Sequence, residues 1–108
     1  MKRVLYIVRQ PPGVLADEIT DVILVSGVFE QPTSVLFADH GAYQLLGLDA
    51  RESPIKTLSS YDIRNLYVSE ESMMSLGLDR ANIPSNVVAA SRREVRELIA
   101  RHDVVLTD

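Results

Sequence analysis

The sequence predicts an α/β fold: a largely parallel sheet of about five strands, with helices covering both faces. Two patterns carry that expectation. Short apolar runs rich in β-branched residues, such as Val4–Val8, suit strands buried on both faces. These runs alternate with segments whose apolar residues recur at helical spacing, bounded by glycine or proline. Length and composition agree with it. The 108 residues are 46% hydrophobic and 24% charged, which fits a single domain, residues 1–108, with one core.

Val4 to Val8 is the first strand, and Pro11-Pro12-Gly13 breaks regular structure after it. Val14 to Phe29 reads as a helix with apolar positions at Leu15, Ile19, Val22 and Ile23. Asp17 and Glu18 fall where the helix dipole favours acids, and Gly27 and Pro32 mark the end. Ser34 to Ala38 is the second strand, and Gly41 to Leu48 forms a short helix. Arg51 to Tyr61 is ambiguous; Ser53-Pro54 can open a helix there, with Ile55 and Leu58 facing inward.

Arg64 to Val68 is the third strand. Ser69-Glu70-Glu71-Ser72 opens a helix with acids in its first turn, and Gly77 is placed to end it in a left-handed conformation. Asn86 to Ala90 is the fourth strand. Ser91 and Glu94 then have capping-box spacing, and the helix they open is expected to bury Val95, Leu98 and Ile99. Asp103 to Leu106 is the last strand.

The chain has no cysteine, which removes disulfides, thiolate nucleophiles and thiolate metal sites. Its net charge of −4 gives no general attraction for nucleic acid or anionic membrane, so direct binding of either is not expected. MKRVLYIVR runs straight into Gln10-Pro11-Pro12-Gly13 and reads as a strand rather than a signal peptide. No stretch has the length of a membrane span, and a cytoplasmic location is the expectation.

The richest segment is VLFADHGAYQLL, Val35 to Leu46, where a buried strand runs into a polar turn and then a helix. In α/β proteins that edge holds ligands and partners. Asp39, His40 and Gly41 are therefore candidates for a ligand or partner contact. The competing reading is a plain turn: Asp39 bonding local backbone, Gly41 at positive φ, His40 merely exposed. Tyr43 offers a large apolar body with a polar tip for an interface, with Gln44 beside it. Arg9, after the first strand, is a candidate anion contact near the next helix N-terminus. No glycine-rich nucleotide motif accompanies it, and no serine sits in a G-x-S-x-G elbow. Arg92, Arg93, Arg96 and Arg101 are interleaved with Glu94 and Glu97 and read as helix-surface ion pairs. His102 meets a helix C-terminus. No catalytic set, metal cluster or cofactor motif is expected.

Over nearly its whole length the chain resembles the TusC/DsrF branch of the DsrE/DsrF-like sulfur-relay proteins. KRVLYIVRQPPG is similar to the family's opening strand and turn, and VLFADHGAYQLL to its F-x-x-D-G-V-[YF]-Q-L segment. TLSSYDIRNLYVSEESMMSLGLD and HDVVLTD continue the match. His40 stands where the family usually has Asp, and Ala42 where it often has Val. The resemblance implies a three-layer α/β/α sandwich with a mainly parallel sheet. It also implies a non-catalytic subunit joining TusB/DsrH-like and TusD/DsrE-like chains in a heterohexamer. The TusD-type chain supplies the persulfide cysteine, for tRNA wobble-uridine 2-thiolation or for sulfur oxidation. The alternative is a stand-alone homo-oligomer binding a small molecule or anion at the Arg9, Asp39, His40, Gly41 edge.

Overall fold

The computed structural model describes residues 2–28, 32–46, 58 and 63–107. Five strands, β1 (Val4–Val8), β2 (Thr33–Phe37), β3 (Asn65–Ser69), β4 (Val88–Ala90) and β5 (Val104–Thr107), form one sheet in the order β4-β3-β2-β1-β5. Every neighbouring pair is parallel. Between them run α1 (Val14–Val28), a 3₁₀ helix η1 (Asp39–Leu45), α2 (Glu70–Leu76), a 3₁₀ turn at Arg80–Asn82 and α3 (Arg92–Arg101).

The order of strands dictates the layers. From β1 to β4 the chain steps always in one direction across the sheet, so right-handed connections keep their helices on one face. Ile19 and Ile23 of α1, Ala42 and Leu45 of η1 and Met73 of α2 meet Val4, Tyr6, Val35, Phe37, Leu66 and Val68 there. The step from β4 back across to β5 reverses direction and carries α3 to the opposite face, where Leu98 and Val95 cover Leu5, Leu36 and Ala90. The result is the expected three-layer sandwich.

All five expected strands are present: β1 has the expected bounds, and the other four differ by one or two residues at their ends. Three details differ. The short helix after β2 is 3₁₀ and starts at Asp39 rather than Gly41. Leu15 and Val22 lie on the outside of α1, at 60% and 55% exposure, and its inner side is Ala16, Ile19 and Ile23. Ile99 is 41% exposed, because α3 turns only Leu98 and part of Val95 onto the sheet. The helix expected from Ser53-Pro54, with Ile55, lies outside the described residues; Leu58 is buried as expected. Phe29 and residues 47–48, at the ends of two expected helices, also lie outside them.

Local signals set the other boundaries. Ser69 caps α2 by accepting the Ser72 amide, and Gly77 ends it at φ 69°, in the left-handed region. Ser91 and Glu94 form the capping box on α3: each side chain accepts the other's backbone N–H. No described helix is long and apolar enough to cross a membrane.

Candidate functional site

The carboxyl ends of β1, β2 and β3 bring three loops together, and η1 sits among them. Asp39 is the first residue of η1 and has φ 49°, a left-handed conformation that Asp tolerates better than most residues. Two contacts hold it there. Its amide donates to the Ser72 hydroxyl at 2.8 Å, and its Oδ2 accepts from Arg9 Nε at 2.6 Å. The Arg9–Asp39 pair is about half exposed on both sides, which limits its contribution to roughly 1 kcal/mol or less. Geometrically it links the end of β1 to the end of β2.

Gly41 is not at positive φ, contrary to the turn reading. Its role is close approach: a Cβ at this position would overlap the Val8 carbonyl oxygen, so only glycine lets η1 lie flush on the end of β1. Ala42 is fully buried beside it. Gln44 turns inward, 6% exposed, and its Nε2 donates to the Gln10 carbonyl at 2.8 Å. That bond ties η1 to the loop before α1, and it spends the Gln44 side chain on structure.

His40 and Tyr43 face outward together. Their rings stack with centroids 6.0 Å apart and 23° between planes. His40 is exposed and Tyr43 half-buried, so the pair offers a small aromatic surface backed by the Arg9–Asp39 ion pair. The structure thus brings Arg9, Asp39, His40, Gly41, Tyr43 and Gln44 into one patch, but gives them different work. Arg9, Asp39, Gly41 and Gln44 build it, and His40 and Tyr43 present it.

Ser72 was not singled out by the sequence reading, although its hydroxyl accepts the Asp39 amide from a nearly buried position. Only its place one turn after a strand that parallels β2 could have flagged it. A serine–imidazole contact does exist elsewhere. His102 Nε2 lies 3.0 Å from Ser34 Oγ and its Nδ1 lies 2.6 Å from the Leu98 carbonyl. The carbonyl can only accept, so Nδ1 donates to it, and the serine hydroxyl, able to donate or accept, completes the contact at Nε2. Ser34 is 5% exposed on the central strand β2, and the imidazole's other partner is a carbonyl rather than a carboxylate. The contact pins the end of α3 to the sheet, in keeping with the structural role expected of His102. Among the described residues, no group of three His, Asp or Glu side chains is placed to hold a metal ion.

A sequence model of the DsrE/DsrF-like family matches residues 2–107, and the chain belongs to that family. It is similar to the Pseudomonas aeruginosa protein named "Protein TusC homolog", 32% identical over 95% of both chains. It is also 30% identical to the "Intracellular sulfur oxidation protein DsrF" of Allochromatium vinosum, over 77% of this chain and 68% of that one. These relatives put it on the TusC/DsrF branch. The crystal structure of the ychN protein from E. coli has the same fold, with TM-score 0.79 over the full length of both chains at 12% identity.

Proposed function

We propose that this chain is a non-catalytic, cysteine-free subunit of a sulfur-relay complex, working by supporting a partner that carries the reactive thiol. The observation that carries the reading is chemical. Persulfide transfer needs a nucleophilic sulfur, and a member of a family whose relatives include a sulfur oxidation protein has none. The carboxyl edge supports the same reading, because its polar groups are committed to one another. Arg9 is bonded to Asp39, Gln44 to Gln10 and Ser72 to Asp39, which leaves the stacked His40–Tyr43 rings as the outward chemistry. A partly exposed aromatic pair on a hydrogen-bonded base suits a protein contact better than catalysis. The anion-binding alternative would have an anion share Arg9 with a carboxylate that already accepts from its Nε at 2.6 Å and offsets its charge.

The partners implied are TusB/DsrH-like and TusD/DsrE-like chains in a heterohexamer, serving tRNA wobble-uridine 2-thiolation or sulfur oxidation in the cytoplasm. Co-expression with the DsrE-type and DsrH-type chains of the same genome, followed by native mass spectrometry, tests this. The expected result is a complex containing all three chains, with sulfur carried only on the cysteine-bearing one. A chain that stays apart from both, or that turns over persulfide alone, overturns the proposal.

A further inference from the structure

α1 is apolar on two sides. Ala16, Ile19 and Ile23 pack inward, while Leu15, Val22 and Val25 lie outward at 60%, 55% and 55% exposure, with Val14 at 74% beside Leu15. Positions 15, 18, 22 and 25 are spaced three, four and three residues apart, the spacing by which two helices interlock along a seam. A helix with apolar residues on two sides suits a place between two packed surfaces, and among the described residues only the inner one is covered. Glu18 occupies the remaining seam position, and Asp17 and Asp21 border it. The helix has no lysine or arginine, and none of these three carboxylates has an ion pair among the described residues.

We propose that the outward seam of α1 docks a helix of a second, non-identical subunit. That helix presents an apolar three-four spaced face with a lysine or arginine in register with Glu18. The inference rests on the relay-subunit reading and says which surface makes the contact. Charge selects the occupant. A carboxylate enclosed in a helix seam needs a cation opposite it. Pairing α1 with α1 of a second copy puts three carboxylates from each chain into one contact with no cation. The cationic helix of this chain, α3, is a poor match. Arg92 and Arg93 pair with Glu71 at 3.6 Å and Glu97 at 3.3 Å, and although Arg96 and Arg101 remain, the outward apolar surface of α3 is Ile99, which cannot fill a three-four spaced seam. The seam is also not the whole interface. A 15-residue helix is about 22 Å long, so the strip it offers falls well short of the roughly 800 Å² per partner of a stable complex. The contact continues over exposed Pro11 and Pro12 to the Gln10 loop that Gln44 holds, and so toward His40 and Tyr43.

The test uses the full chain co-expressed with the DsrE-type and DsrH-type chains of its own genome. Val22→Glu and Glu18→Lys each lower the assembled fraction in native mass spectrometry about ten-fold or more, while circular dichroism and the melting temperature of the isolated chain stay unchanged. A second measurement does not depend on disrupting anything. Because the natural chain has no cysteine, Val22→Cys gives a single thiol. It reacts with a maleimide in the isolated chain and is protected in the complex, whereas Arg101→Cys on α3 reacts in both. Assembly of wild type with equal assembly of Val22→Glu, or an unprotected Val22→Cys, overturns the docking face and leaves the relay reading standing. Failure of wild type to assemble at all takes down both. A homo-oligomer of wild type alone that Val22→Glu dissolves makes the occupant a second copy, and overturns the non-identical partner.

Discussion

At the scale of single residues, the carboxyl edge depends on two unusual backbone positions that do opposite things. Asp39 takes a left-handed conformation despite its side chain, and Gly41 takes an ordinary one but has no room for a side chain. Gly41→Ala would drive a methyl group into the Val8 carbonyl, so η1 must lift off the sheet and loosen the buried Ala42 and Leu45. The expected cost is about 2 kcal/mol or more, read as a lower urea midpoint. An unchanged midpoint would mean that η1 shifts freely. The sequence marks Asp39-His40-Gly41 as a turn because all three tolerate unusual dihedrals. It does not say which of them uses that freedom, since the deciding contacts come from Val8, Arg9 and Ser72, which are distant along the chain.

Among the elements, what is local is legible and what depends on a neighbour is not. The capping box at Ser91 and Glu94 and the left-handed Gly77 are written within a few residues, and both form as expected. Removing the first, Ser91→Ala, leaves the Glu94 amide without its acceptor and should cost about 1 kcal/mol in a denaturant titration, with α3 fraying first in hydrogen exchange. A loss near zero would show that the Leu98 packing alone sets the helix. The faces of α1 and α3 are a different matter. Leu15, Val22 and Ile99 fit helical periodicity, but periodicity gives the repeat and not the direction in which it points. α1 carries two overlapping apolar repeats, and only the fold shows that Ile19 and Ile23 belong to the inner one. Likewise the 3₁₀ winding of η1 follows from how it meets β1, which no local pattern states.

On the scale of the whole molecule, the five strands and their alternation with helices are readable because short β-branched apolar runs, most fully buried in β1 and β2, recur between segments of helical spacing. Strand order was not, because it is fixed by contacts between distant segments. The longest of these joins β1 to β5. The Asp103 carboxylate accepts the Arg3 amide at 2.7 Å, and that bond, helped by the Arg3 guanidinium, holds its carboxyl below the usual carboxylate range. A carboxyl lowered in the folded state stabilises fully above its ordinary range near pH 4, and the contribution is lost as pH falls through the lowered value. Wild type should therefore lose more stability than Asp103→Asn between about pH 6 and pH 3, measured by thermal melts. Parallel acid limbs would assign the acid sensitivity to other carboxylates. The same pairing has a consequence for synthesis. Val4 registers with Val104, so a chain emerging from the ribosome holds its first strand unsatisfied along one side until almost a hundred further residues have appeared. During that interval the open side of β1 is the growing chain's main invitation to the wrong partner, and a chaperone or an early-arriving subunit that shields it would raise yield without touching the finished fold.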